Sequence, residues 1–194
     1  MGETLSKLIN DSTILIINSG WSVGFILILL ESFIPILPLG AFVTLNVNAF
    51  GIFYGVMISW IATTLGSYLT YLVFYYISNK IVYKILNKTK KQHLIEATKT
   101  FRNIPITKLS LLITLPFSPS CIINLLAGVA GIKKENYLVS LIIGKGLMIS
   151  FWAYIGKNFI ESITDIESLV FIISILLIAY LTTKIISKKY KVLW

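Results

Sequence analysis

Between Ser32 and Asn79 the chain carries apolar and small polar side chains and no charged one. A helix needs roughly 20 apolar residues to cross a bilayer core, so the pattern predicts membrane-embedded helices. The first apolar run, Ser12–Leu30, fits one crossing. The next, Glu31–Phe50, is apolar but interrupted by Pro35, Pro38 and Gly40. Proline lacks a backbone N–H and clashes with the preceding turn, so a straight helix is forbidden there. Each half reaches roughly 15 Å as helix, about half of a hydrocarbon core. That stretch is expected to enter and leave on one side, as a re-entrant hairpin. Gly51–Ser78 is long enough to cross with tilt.

A polar, basic segment at 79–108 leaves the membrane, and the pattern then recurs. Leu109–Ile132 is uncharged and broken by Pro116 and Pro119, with Gly128 and Gly131 near its end. Asn136–Gly156 is a second crossing with only Lys145 inside it, and Ser168–Ile186 is a last span. At an offset of about 80 the halves correspond: Pro35 and Pro38 with Pro116 and Pro119, Gly51-Ile52 with Gly131-Ile132, Gly66 with Gly146. Inverted repeats with broken helices place a substrate site near the midplane, where the broken elements meet. The expected fold is an all-α polytopic membrane protein and one membrane domain over 1–194. It holds an inverted repeat of two Pro-broken re-entrant hairpins, each followed by a spanning helix. Repeat one covers about 31–78 and repeat two about 109–156, with N- and C-terminal transmembrane helices outside them.

Charge agrees with that class. Hydrophobic residues make up 56% and charged residues 13%, against about 25% charged in soluble domains. The net charge of +9 first reports orientation, because Lys and Arg collect on the cytoplasmic side. Lysines from Lys80 to Lys108 with Arg102, and Lys184, Lys188, Lys189 and Lys191, predict a cytoplasmic central segment and C-terminus. Counting crossings puts the N-terminus inside too, in the cell membrane. The beginning, Met1–Asp11, is mixed in charge and does not read as a secretory leader. One Cys and one His exclude a disulfide framework and give no metal spacing.

An ionisable residue in hydrocarbon is costly and marks function by default. Glu31, beside the first proline break, is a candidate proton carrier; its plain alternative is an interfacial acid at a helix end. Lys145 lies deep in its helix between Gly144 and Gly146, which would let a backbone or a lipid headgroup come close. It is a candidate partner for Glu31 or for an anionic group. Ser118, Ser120 and Asn124 in the second hairpin, and Asn46 and Asn48 in the first, can satisfy broken backbone or contact substrate, and Pro35, Pro38, Pro116, Pro119 and Gly128 are further hairpin and substrate-contact candidates. Arg102 sits at the expected cytoplasmic mouth. No nucleophile–base set, phosphate loop, metal cluster or nucleic-acid module is visible. No enzyme, cofactor or nucleic-acid partner is expected.

Leu115-Pro116-Phe117-Ser118-Pro119, then Asn124, Ala127-Gly128 and Gly131, then Tyr154-Ile155-Gly156 resemble the DedA superfamily of VTT-domain membrane proteins. The similarity spans roughly Gly24–Phe159. Glu31, ahead of Pro35-Ile36-Leu37-Pro38, takes the position of the family's acidic hairpin motif. The resemblance implies two opposed re-entrant hairpins and movement of lipids between leaflets, including undecaprenyl phosphate recycling, coupled to ion gradients. One departure is plain: many relatives carry an arginine shortly before the second hairpin's proline, and Ser110–Leu115 holds none. Lys145 is the candidate substitute.

The expected function is therefore a flippase or scramblase of an anionic lipid, a polyprenyl phosphate or phospholipid, with protons or another ion as coupling partner. A small-solute or ion transporter, and a non-transporting membrane scaffold, are the alternatives. Homo-oligomerisation stays open.

Overall fold

The computed structural model describes residues 2–34, 38–77, 95–96, 98–161 and 166–189. Pro35, Ser78, most of the basic segment including Lys80, Lys84, Lys88, Lys90 and Lys91, and Lys191 lie outside the described residues. Every regular element among the described residues is an α-helix: α1 (Gly2–Ser19), α2 (Trp21–Glu31), α3 (Leu39–Tyr76), α4 (Ile106–Thr114), α5 (Ser120–Ala130), α6 (Lys134–Glu161) and α7 (Ile166–Lys189). A further helical turn at 98–102 precedes α4. Two helices, Leu39–Tyr76 and Lys134–Asn158, are long and apolar enough to cross a bilayer, and a bent pair in α1 and α2 makes a third candidate.

That bent pair corrects the first expected crossing. Asp11–Ser19 and Trp21–Glu31 meet at 108°, so Ser12–Leu30 is not one straight helix. The hinge is Gly20, at φ 79 and ψ 169, backbone that essentially only glycine adopts. The crossing count that put the N-terminus in the cytoplasm took this segment as one span, and the bent pair is either a broken span or a re-entrant loop. The first hairpin also begins earlier than expected, its leading limb being α2 itself. Its second limb is the start of α3, which breaks at Gly51 (φ 78, ψ 164) before the long helix runs on to Tyr76. In the second half α4 begins at Ile106, so Lys108 belongs to the hairpin and not to the linker. Then α5 ends at Gly131 (φ 68, ψ 37). Ile132 N–H reaches Ala127 O at 3.2 Å and Gly131 N–H reaches Gly128 O at 3.1 Å, a Schellman stop. The C-terminal helix is present, with an apolar part at Val170–Ile186.

Two long helices organise the rest. Trp60 Nε1 donates to Ile142 O at 3.0 Å, while the Tyr71 and Tyr137 rings meet at a tilt with centroids 4.3 Å apart. Rising numbers in α3 thus meet falling numbers in α6, and the two run antiparallel. One core gathers Ile28, Val43, Val47 and Ala62 with Met148, Ile149 and Ala153. The other gathers Tyr71, Leu109, Leu112, Ile123 and Ala127 with Tyr137 and Leu141. The first hairpin therefore packs toward one end of the α3–α6 pair and the second toward the other. In the second hairpin α4 lies chiefly on α6 and α5 on α3.

Small residues set these approaches, as expected where lipid removes most of the hydrophobic drive between helices. A Cβ added at Gly128 would sit 2.8 Å from Tyr71 O and 2.9 Å from Tyr75 N, whereas one at Gly146 would meet nothing nearer than Trp60 Nε1 at 3.4 Å. Gly128, a candidate substrate contact by sequence, is thus a packing residue. The contrast makes a test. In thermal unfolding of the micelle-bound protein, Gly128→Ala should lose about 1–3 kcal/mol through backbone overlap. Gly146→Ala should be neutral or gain up to about 1 kcal/mol from helix propensity.

Candidate functional site

A cavity of about 570 Å³ opens where the two proline loops meet. The start of α3 supplies Pro38, Gly40 and Thr44; the second loop supplies Pro116, Phe117, Ser118, Pro119, Ser120 and Cys121; α6 supplies Met148, Trp152, Ile155 and Gly156; Glu31 enters from the end of α2. The volume is that of a small-ligand site, which usually pairs apolar walls with a few polar groups. Here the apolar part is Met148, Trp152 and Ile155, and the polar part is Glu31, Ser120 and Thr44.

Local structure explains each position. Pro38 and Pro119 stand immediately before α3 and α5, where a missing N–H costs no helix bond. Pro119 O accepts from Ile122 N at 3.0 Å and from Ile123 N at 3.2 Å. The Ser118 hydroxyl donates to Leu115 O at 2.8 Å and to Leu112 O at 3.3 Å, so it closes the loop although it lines the cavity. Across the space, Ser32 Oγ donates to Thr63 O at 3.4 Å and Thr70 Oγ1 to Ser32 O at 3.2 Å, fixing the chain just after Glu31.

Glu31 is only 8% exposed, and its Oε2 has no hydrogen-bond partner. Lys145 is 1% exposed, and its Nζ donates to Ser120 Oγ at 2.8 Å. The two charges attract each other, yet no ion pair joins them within 4.0 Å. Lys145 does not line the cavity itself; it stands behind Ser120. The Trp152 Nε1 is a further buried donor without a partner. Two wall residues therefore carry an unpartnered buried atom, an acceptor of Glu31 and a donor of Trp152, and a cation stands behind Ser120.

The structure thus brings together Glu31, Pro38, Pro116, Ser118 and Pro119, with Lys145 one side chain behind. It does not bring in the others. Asn46 is buried between hairpin limbs, donating from Nδ2 to Ser59 Oγ at 3.1 Å and pressing its Oδ1 on Gly24. Asn48 bonds its own helix at Thr44 O. Asn124 accepts from Tyr137 OH inside the second core. Arg102 is exposed beside the buried Phe101 and lines no part of the cavity. Trp152, Met148 and Thr44 were not singled out by sequence. A signal existed, since Lys145, Met148, Trp152 and Ile155 recur at helical spacing and share one face of α6.

A family model described as the VTT domain matches residues 34–158, more than half of the chain and all of both proline loops. The chain belongs to the VTT-domain family, within the DedA superfamily. It is also 30% identical over 165 residues to "Uncharacterized membrane protein YhjE" of Bacillus subtilis (strain 168), covering 84% of this chain and 78% of that protein. No solved structure matches. This is thus a membrane protein of the VTT-domain family whose matched region ends at Asn158, within α6, and includes every cavity residue named above except Glu31.

Two buried charges without ion-pair contact are a burden on folding, because desolvation is offset only in part. Lys145→Met, which keeps volume and removes the charge, should raise the melting temperature of the micelle-bound protein. A gain of about 1–2 kcal/mol corresponds to roughly 2–8 °C for a chain of this size. A melting temperature that falls would show Lys145 to be structural.

Proposed function

We propose that this protein moves an anionic lipid between leaflets, as a flippase or scramblase, and performs no chemistry on it. The observation that supports the reading is the meeting of both proline loops at one cavity that carries Glu31 and the Ser120–Lys145 pair. A cavity of about 570 Å³ suits a headgroup and not its tails, so the tails would remain in lipid while the headgroup passes. Glu31, with a free acceptor oxygen, is the group placed to take up a proton as a headgroup arrives.

The wider arrangement supports the membrane layout behind this reading. The two hairpins pack at opposite ends of the antiparallel α3–α6 pair, as two re-entrant hairpins of an inverted repeat would. Glycines at positive φ, Gly51 and Gly131, separate each second limb from the long helix that follows. With the basic central segment on the cytoplasmic side of a plasma membrane, the second hairpin dips from the cytoplasm and the first from outside. Lys133 and Lys134 then fall on the cytoplasmic side, and membrane lipids are the partner.

The test is reconstitution into vesicles carrying a labelled phosphatidylglycerol or polyprenyl phosphate, with transbilayer movement followed by quenching of the outer leaflet. The unaltered protein should move the lipid well faster than protein-free vesicles do. Glu31→Gln and Lys145→Met should each slow it about tenfold or more, the scale of a lost charge-assisted contact. Movement equal to that in empty vesicles, with and without a proton gradient, would put the solute-transporter or scaffold reading first.

A further inference from the structure

The cation of the site does not face the site. Lys145 is 1% exposed and absent from the cavity wall, while Ser120, partly exposed and on that wall, takes its Nζ hydrogen bond at 2.8 Å. The second contact of Nζ, Met148 Sδ at 4.0 Å, is too long and too weak an acceptor to hold the ammonium. A hydroxyl can accept one bond and donate another. With its oxygen bound to an ammonium, Ser120 has its proton free to point away from Lys145, toward the cavity. We propose that Ser120 is the positioning residue of the site: it presents the charge of Lys145 to an anionic phosphate headgroup as a polarised O–H donor and sets the preference for such headgroups.

Three features of the surroundings carry this. Ser120 opens α5, so its hydroxyl stands beside the leading N–H groups that a helix cannot use internally. Trp152, whose buried Nε1 has no partner, lines the same cavity from α6. Glu31, nine-tenths buried, lines the same cavity and keeps an unpartnered Oε2. The neighbouring Ser118 cannot do the same work, because its hydroxyl proton is committed to Leu115 O or Leu112 O.

The inference rests on the lipid-moving reading, so the experiment separates the two. Binding of dioctanoyl phosphatidic acid and of dioctanoyl phosphatidylcholine to the full chain in micelles is measured by calorimetry, beside vesicle transport of labelled phosphatidic acid. Ser120→Ala should weaken phosphatidic acid binding about tenfold, the scale of a charge-assisted hydrogen bond, and leave phosphatidylcholine binding unchanged. Ser120→Thr, which keeps the hydroxyl, should restore binding. Adding Lys145→Met to Ser120→Ala should cost little more than Ser120→Ala alone, because groups acting as one unit are not additive. Ser150→Ala, on the far face of α6, should change nothing.

Selective weakening without any transport by the unaltered chain would keep the assignment of Ser120 and remove the flippase reading. The proposal is overturned if Ser120→Ala binds phosphatidic acid as the parent does, if Ser120→Thr is as poor as Ser120→Ala, or if the parent binds no phosphatidic acid.

Discussion

Hydrocarbon offers a broken backbone nothing to hydrogen-bond, and this membrane protein interrupts its helices before Pro38 and at Pro116–Pro119. Every other feature near the centre follows from covering those breaks. Pro119 O takes two N–H groups of α5, and the Ser118 hydroxyl returns to the carbonyls of Leu115 and Leu112. On the other side, Ser32 is tied to α3, its hydroxyl donating to Thr63 O and its carbonyl accepting from Thr70 Oγ1. The second loop is thus sealed by its own residues, and the chain just after Glu31 by the long helix against which it lies. What remains between the loops is not backbone but side chains, and those are the polar groups of the cavity.

Close packing is the second consequence of the same constraint. Between helices in lipid, attraction comes from contact, so small residues admit neighbouring backbones. Gly66 lets the end of α2 reach α3, where an added Cβ would lie 2.7 Å from Leu29 O; Gly144 does the same for α4 on α6, with Ser110 O at 2.8 Å. The corresponding glycine of the second half, Gly146, has no such neighbour. The two halves therefore share an order of elements but not their contacts.

Much of the architecture was legible because proline and charge act locally. A proline break shows at its own position, and so the two hairpins could be read from Pro38, Pro116 and Pro119. The bend at Gly20 could not: a single glycine within Ser12–Leu30 is compatible with a straight span, and only packing of α1 against α3 and α2 selects the turn. Site residues divide in the same way. Glu31 and Lys145 stood out because charge in an apolar run has few structural uses. Asn46, Asn124 and Gly128 looked equivalent to them, yet tertiary partners claim all three. Trp152 and Met148 were hidden by their composition, since aromatic and thioether side chains are ordinary in a membrane helix.

The separation of Glu31 from Lys145 is the part of the design that stability alone does not account for. A contact ion pair would offset part of the desolvation of both groups; instead one oxygen of Glu31 is left bare and the ammonium is turned toward a serine. An ion pair also neutralises itself, and a neutralised pair discriminates little between an empty cavity and one holding an anion. Under the lipid-moving proposal, the acid and the cation, held apart, would each keep a differential interaction with an incoming headgroup, and only such a difference can drive a conformational or protonation change. On that proposal, the desolvation that folding must overcome is the same free energy that would make the site responsive.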